Sequence, residues 1–263
     1  MSILDPVLGT VSIFEIRWYG LLMAVAFLAG YFMLRRLADE EGIKRDEIDS
    51  YFLYIFLGIL IGARLGEVLF YGPWSYYLAE PWRIIAVWQG GLSSHGAFIG
   101  GILATMIFCR VHRMRFYRIA DIAVIPIAFG SILVRIGNLI NGEIVGRETS
   151  MPWGMVFENY DEKVRHPSQI YEAMMNFIVF ALLLSIRKLK KIPEGFMFWS
   201  FVVIYSILRF FVEFFKEYQT LDSSSLFTMG QLLSIAFFAV ALYVMVVKYK
   251  NFILAVSERM RKE

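Results

Sequence analysis

Seven long apolar segments recur along this chain, and the loops between them carry most of its charge. Each segment approaches the roughly 20 residues that a helix needs to cross the hydrocarbon core of a bilayer. The composition agrees, since 58% of the residues are hydrophobic and the mean hydropathy is +0.59. The predicted spans are 16–35, 49–70, 92–110, 118–141, 167–187, 195–215 and 229–248. We therefore predict an all-α polytopic membrane protein with seven transmembrane helices in one domain, residues 1–263.

Positive charge is distributed unevenly between the two sides that these spans define. Seventeen of the 26 Lys and Arg residues lie in the loops after spans one, three and five or in the C-terminal tail, against six on the other side. Because cytoplasmic loops carry the excess of positive charge, the N-terminus is predicted outside and the C-terminus in the cytoplasm. The longest outer connection, 142–166, is predicted to form a small extracytoplasmic cap. The aromatic-rich loop 71–91 is predicted to lie in the membrane interface.

Small residues recur at four-residue intervals in the second and third spans. They are Gly58, Gly62 and Gly66 in one span, and Gly96 and Gly100 in the other. This spacing allows helix backbones to approach closely, so it favours a tightly packed bundle.

Polar side chains converge at one depth, on the outer-leaflet side. At a rise of 1.5 Å per residue, Arg135 lies roughly 25 Å along span four and Arg209 about 21 Å along span six. Residues of other spans reach the same level: Tyr19, Arg64, Glu67, His95, His166, Gln169 and Glu172. Independent structural pairs would be expected to scatter through the membrane, so the shared depth favours a functional site.

Structural interpretations of single residues stay open at this point. Arg64 and Glu67 could form an ion pair on one helix, and Arg209 with Glu213 is an i, i+4 pair near a helix end. The asparagines of the fourth span could bond neighbouring helices. The one cysteine, Cys109, and the three histidines have no metal-binding spacing, so neither a disulfide framework nor a metal site is expected.

Three arginines at one depth favour an anionic ligand, because the guanidinium fork matches the oxygens of a phosphate. In a membrane protein, a phosphate at the outer-leaflet level is most simply a lipid headgroup. His95 could accept a proton near neutral pH. These residues are compatible with headgroup chemistry but do not identify a reaction.

The polar motifs resemble those of the prolipoprotein diacylglyceryl transferase family. Its signature is close to Gly-Arg-x-Gly-Asn-Phe-x-Asn-x-Glu-x-x-Gly, and two apolar positions differ here, at Val134 and Leu139. The matching positions are Arg135, Gly137, Asn138, Asn141, Glu143 and Gly146. Further resemblances lie at 16–20, 90–96, 165–172, 205, 209–213 and 228–231. Residues 216–219, Lys-Glu-Tyr-Gln, stand where the family usually has Arg-x-Pro-Asp.

The resemblance implies a reaction and a place for it. The diacylglyceryl group of phosphatidylglycerol moves to the lipobox cysteine thiol of a preprolipoprotein, which gives a thioether and releases glycerol phosphate. This is the first step of bacterial lipoprotein maturation, in the cytoplasmic (inner) membrane. The implied partners are the lipid, the signal peptide of the preprolipoprotein and the bilayer, with no nucleic acid, cofactor or metal.

The family's site residues transfer onto matching positions of this sequence. We predict catalytic roles for His95, Arg135 and Arg209, with His95 accepting the thiol proton and the arginines stabilising the departing phosphate. A purely positioning role for His95 stays open. The predicted substrate-binding residues are Arg135, Tyr19, Asn138, Asn141, Glu143, Gly146, Tyr205 and His166.

Two readings from other classes compete with a transferase. A transporter of lipids or anionic solutes could use the same arginine cluster, but its charges would be expected near the midplane, within repeats that contain broken helices. A seven-helix receptor would account for the helix number alone and for none of the motifs.

Overall fold

The computed structural model describes residues 7–11, 14–217 and 226–260, and this part of the chain is mostly helical. Its α-helices are α1 (Trp18–Glu40), α2 (Arg45–Phe70), α3 (Trp74–Ala79), α4 (Ser94–Val111), α5 (Phe116–Asn141), α6 (Ser168–Arg187), α7 (Phe196–Val212) and α8 (Met229–Met260). The strands are β1 (Val7–Val11), β2 (Phe14–Arg17), β3 (Met155–Val156) and β4 (Val164–Arg165). Short 3-10 helices cover Pro81–Ile85, Val87–Gln89 and Glu213–Phe215.

Six helices in the described part of the chain are long and apolar enough to cross a membrane. They are α1, α2, α5, α6, α7 with its following 3-10 turn, and α8. The chain is therefore a multi-pass membrane protein. The third predicted span corresponds to α4, which is apolar but shorter than the other six. A seventh crossing stays a prediction.

The first predicted span was wrong at both of its ends. Residues Phe14–Arg17 form β2, which pairs antiparallel with β1, and the helix begins only at Trp18. β-branched and aromatic residues are common in both strands, as is usual for β structure. The helix then continues to Glu40, because the charged residues after the apolar stretch are still good helix formers. Gly42 follows the end of the helix, and its φ of 65° suits a residue just beyond a helix C-terminus.

The last span was also predicted too short. α8 continues to Met260 and has 32 residues, about 48 Å at the helical rise. That exceeds the roughly 30 Å of a hydrocarbon core. No Gly or Pro lies between Lys248 and Met260 to stop the helix, so its polar end extends beyond the apolar stretch.

The structure divides into two compact units. The first unit consists of Met1–Met33 and Asp121–Glu263, and the second of Leu34–Ala120. The single-domain interpretation of residues 1–263 stays a prediction.

In the second unit, α2 and α4 pack along their glycines. A Cβ on Gly62 would collide with the carbonyl oxygen of Gly96 and would lie 2.8 Å from the Cα of Gly100. A Cβ on Gly66 would likewise lie 2.8 Å from the Cα of Gly96. The backbones are therefore in direct contact, which confirms the tight packing that the glycine spacing predicts.

In the first unit, one carboxylate fixes the start of α7. The backbone N–H groups of Gly195 and Phe198 donate to the two oxygens of Asp121, at 2.6 and 2.8 Å. Tyr249 of α8 donates to the carbonyl oxygen of Glu194 at 2.9 Å. These bonds hold the start of α7 against Asp121 of α5 and Tyr249 of α8.

Replacing Gly62 by Ala should separate α2 from α4. The added methyl has no room between two backbones, so we expect a loss of about 1 to 3 kcal/mol in stability. The measurement is the thermal unfolding midpoint of purified protein in detergent. Gly20→Ala is the matched control, because Gly20 is also helical but has open space around its Cα. Equal midpoints for the two variants would contradict this packing.

Candidate functional site

A buried carboxylate lies at the centre of the polar cluster in the first unit. The side chain of Glu172, in the second turn of α6, belongs to a residue that is only 1% exposed. Its Oε2 contacts the Nε of Arg135, from α5. Its Oε1 accepts from the Nη1 of Arg209 at 2.6 Å and from the Nζ of Lys216 at 2.7 Å. One acidic group thus joins cations from three segments of the chain.

The start of α6 also holds the turn that follows α5. Ser168 donates to the carbonyl oxygen of Ile144 at 2.9 Å, and Gln169 donates to that of Glu143 at 2.8 Å. Both α6 side chains are buried. These bonds fix the depth of Glu172 relative to the end of α5, where Arg135 lies.

A second acid completes the environment of Arg209. Its Nη2 lies 2.5 Å from the Oε2 of Glu213, one turn later, and Glu213 is 7% exposed. Thr228 donates to the other carboxylate oxygen at 3.1 Å. A Cβ on Gly230 would lie 2.5 Å from this carboxylate, so the start of α8 packs directly against it. The predicted i, i+4 pair is confirmed, and its carboxylate is buried.

Cations outnumber anions among the groups that contact one another in this partly buried cluster. Arg135, Arg209 and Lys216 face two carboxylates, those of Glu172 and Glu213. Burial lowers the pKa of Lys216, while its carboxylate neighbour acts in the opposite direction. Buried charges need partners of opposite sign, so the uncompensated positive charge favours an anionic ligand.

A chain of amide contacts extends from Arg135 to the end of α5. The Nη1 of Arg135 donates to the Oδ1 of Asn138 at 3.2 Å. Asn138 and Asn141 both donate to the Oε1 of Glu143, at 2.9 and 3.3 Å. Gly142, with φ 68°, ends the helix and turns the chain back. The asparagines therefore bond within their own turn, and the exposed carboxylate of Glu143 stands at its outer side.

The two tyrosines of the predicted substrate-binding site lie on α1 and α7. The ring of Tyr19 packs on Gly137, where a Cβ would lie 2.7 Å from the ring carbon Cδ2. Tyr205 precedes Arg209 by one turn of α7, and its ring stacks on Phe201 with centroids 5.5 Å apart. The first unit thus brings most of the predicted site residues together: Tyr19, Arg135, Asn138, Asn141, Glu143, Tyr205 and Arg209.

The connection 142–166 positions Gly146 and His166. The N–H of Gly146 donates to the carbonyl oxygen of His166 at 3.0 Å, and Gly146 also pairs with Lys216. A Cβ on Gly146 would lie 2.5 Å from the carbonyl oxygens of His166 and Phe215, so close packing requires glycine here. The Nδ1 of His166 lies 3.1 Å from the hydroxyl of Tyr171, and burial lowers the pKa of this histidine.

The second unit contains His95 and Arg64. His95 is exposed in the first turn of α4, with Nδ1 at 3.1 Å from the hydroxyl of Tyr71. Arg64 is buried, and its guanidinium donates to backbone carbonyl oxygens of residues 83–91. Grouping Arg64 with the anion-binding arginines was therefore wrong, because backbone acceptors occupy its donor atoms. That His95 acts together with Arg135 and Arg209 stays a prediction.

Two residues of the cluster were missing from the predicted site. Glu172 lies within a matching motif to which the resemblance gives no role, and Lys216 is a departure from the family pattern. A signal for Lys216 was present, since residues 209, 213 and 216 share one helical face by their spacing. Tyr218 and Gln219 of the same motif lie outside the described residues.

Comparison with known proteins gives a consistent result. Residues 6–247 match a family model described as prolipoprotein diacylglyceryl transferase. The chain is 40% identical to a phosphatidylglycerol–prolipoprotein diacylglyceryl transferase of Tolumonas auensis, over 94% of this chain and 96% of that protein. It is also 40% identical to one of Geobacter sulfurreducens, over 91% and 93%, and 41% identical to one of a Wolbachia strain, over 88% and 90%.

Replacing Glu172 by Gln should destabilise the first unit strongly. The three cations would lose their shared counter-ion inside the protein, a change that costs about 3 to 5 kcal/mol in comparable buried pairs. The measurement is the thermal unfolding midpoint in detergent, with the exposed Glu162→Gln as control. Midpoints that agree between the two variants would show that Glu172 does not hold the cluster together.

Proposed function

This chain belongs to the prolipoprotein diacylglyceryl transferase family, and we propose that its partly buried ion cluster binds the lipid phosphate during the reaction. The protein is a transferase that moves the diacylglyceryl group of phosphatidylglycerol to a prolipoprotein, the first step of lipoprotein maturation. The cluster of Arg135, Arg209 and Lys216 around Glu172 is the observation that carries the proposal about the site.

The membrane arrangement that we propose has seven spans, with α4 as the short one. The distribution of Lys and Arg supports an outer N-terminus and a cytoplasmic C-terminus in the bacterial inner membrane. In this arrangement the connection 142–166 is an extracytoplasmic cap. The ion cluster lies near the outer leaflet, where a lipid headgroup and the lipobox cysteine of a secreted preprolipoprotein can both reach it.

The cluster suits a phosphodiester in charge and in shape. A phosphodiester monoanion can pair with the three cations, which outnumber the two carboxylates that contact them directly. The guanidinium groups of Arg135 and Arg209 each have five N–H donors, more than their contacts within the cluster use, and the planar arrangement of these donors suits phosphate oxygens. A site that is organised before the ligand arrives loses less free energy on binding.

The same cations serve the bond-breaking step. The thiolate sulfur of the prolipoprotein forms a bond to the carbon of the diacylglyceryl group that bears the phosphate. The bond from that carbon to the phosphate oxygen breaks. The electron pair of the broken bond goes to that oxygen, so glycerol phosphate leaves with a second negative charge. Fixed cations that face the developing charge lower the barrier, and this is the role of Arg135 and Arg209.

The turn after α5 is proposed to recognise the headgroup. Phosphatidylglycerol carries free hydroxyl groups on its second glycerol, and the amides of Asn138 and Asn141 with the carboxylate of Glu143 offer donors and acceptors for them. Tyr19 covers this turn through its contact with Gly137. Tyr205, His166 and Gly146 are proposed to complete the lipid site from α7 and from the cap.

His95 is proposed to accept the proton of the substrate thiol. A free thiol has a pKa of about 8.5, and only the thiolate attacks. A neutral imidazole can remove that proton as a general base. The exposure of His95 leaves it accessible to a peptide substrate.

The function is tested with purified protein, labelled phosphatidylglycerol and a lipobox peptide. Release of glycerol phosphate should require the peptide cysteine, and a peptide with serine at that position should give none. Arg135→Ala should abolish release while the protein still inserts in the membrane. Lipid movement across vesicles without release of glycerol phosphate would instead show a transporter, and release that Arg135→Ala leaves intact would contradict the proposed site.

The pH dependence distinguishes a base from a positioning residue at position 95. His95→Asn should reduce turnover strongly at pH 7, and the deficit should shrink as the pH approaches 8.5, because the thiol then ionises without a base. Turnover is measured as glycerol phosphate release between pH 6 and pH 9. A deficit of the same size at every pH would favour positioning.

A further inference from the structure

We propose that Arg64 is a positioning residue that sets the backbone before His95 and, through it, the place of the imidazole. The inference rests on the proposed role of His95 in proton transfer. It concerns the second unit alone, in which Arg64 lies two turns before the end of α2 and His95 begins α4.

The guanidinium of Arg64 bonds two separate stretches of backbone. Its Nε donates to the carbonyl oxygen of Ile84 at 3.1 Å, and its Nη2 donates to that of Arg83. Its Nη1 donates to the carbonyl oxygens of Gly90 at 2.6 Å and Gly91 at 3.0 Å. Arg64 is only 5% exposed, and it also lies over the ring of Tyr77, 5.6 Å from the centroid. One side chain therefore joins both ends of the loop 83–91.

The two glycines turn their carbonyls toward the same nitrogen because both adopt positive φ. The φ values are 83° at Gly90 and 69° at Gly91, a region that L-residues other than glycine rarely enter. Their surroundings differ. A Cβ on Gly91 would lie 3.2 Å from the Nη1 of Arg64 and 3.1 Å from the Cγ of Glu67, whereas one on Gly90 would meet nothing within 4 Å.

The path from this turn to His95 is short and held on both sides. The N–H of Ser93 donates to the carbonyl oxygen of Ala63 at 2.9 Å, next to Arg64 in α2. The hydroxyl of Ser93 then accepts from the N–H of Gly96 at 3.2 Å and caps α4. His95 lies between these two points. Its ring is further held by the hydroxyl of Tyr71, which directly follows α2.

The shape of the arginine matters more than its charge in this arrangement. A planar fork reaches carbonyl oxygens in several directions at once, whereas a lysine ammonium is a compact point charge. Arg64→Lys would retain the charge and lose the bridge between 83–84 and 90–91. A displacement of about 1 Å in a catalytic group can reduce a rate by roughly a hundredfold, so loosening this loop should appear in turnover.

A double-mutant cycle between Arg64→Lys and His95→Asn tests the proposal in the glycerol phosphate assay. Arg64→Lys alone should lower kcat by roughly tenfold to a hundredfold, with KM for phosphatidylglycerol changed by less than about twofold. In the His95→Asn background the same change should have no further effect, because Arg64 acts through that imidazole. Equal factors in both backgrounds, or a rise in KM with kcat unchanged, would overturn the proposal.

A matched glycine pair keeps the test valid if Arg64→Lys does not fold. Gly90→Ala and Gly91→Ala both place an L-residue at positive φ, but only the second intrudes on Arg64. Gly91→Ala should lower kcat more than Gly90→Ala does, and the difference should vanish in the His95→Asn background. Equal losses for the two variants would also overturn the positioning role.

The outcomes separate this inference from the proposed function. Strong loss in His95→Asn with additive effects of Arg64→Lys overturns only the positioning role of Arg64. Full turnover in His95→Asn overturns the base role and the inference with it. A wild-type protein that releases no glycerol phosphate overturns the proposed function itself.

Discussion

Glu172 brings one carboxylate, almost fully removed from solvent, to three cations from three separate segments. Charges inside a membrane protein are expensive unless they are paired, so this contact allows Arg135 and Arg209 to remain at membrane depth. The same carboxylate contacts one nitrogen of each guanidinium group and so restrains the position of both. The packing of α5, α6 and α7 near the cluster therefore depends on the same carboxylate that pairs the two arginines.

Arg64 shows a second way of keeping an arginine inside a membrane protein. Its guanidinium donates hydrogen bonds to backbone carbonyl oxygens instead of pairing with a carboxylate. A guanidinium whose donors bind backbone groups organises a loop, whereas one whose partners leave a net positive charge can take an anionic ligand. Burial alone does not separate these roles, and the identity of the hydrogen-bond acceptors does.

Helical segments were predictable because an apolar run of about 20 residues has few alternatives in a membrane. The ends of the helices were harder to predict. α8 extends beyond its apolar part, and Ile16 and Arg17 belong to a strand that pairs with β1. Hydropathy does not encode such strand pairing, so the sequence did not predict it. Motif spacing identified the arginines and asparagines of the site. It could not show that Glu172 joins them, since residues far apart in sequence meet only through the packing of three helices.

We propose above all that Glu172 holds the guanidinium groups of Arg135 and Arg209 in place for a lipid phosphate. Native mass spectrometry of wild type and Arg209→Lys, purified from the same membranes, tests it directly by counting retained phosphatidylglycerol. The lysine variant keeps the positive charge beside Glu172 but cannot present a planar fork. We expect wild type to retain phosphatidylglycerol in preference to phosphatidylethanolamine, and the variant to lose that preference. An unchanged preference in Arg209→Lys would contradict the account.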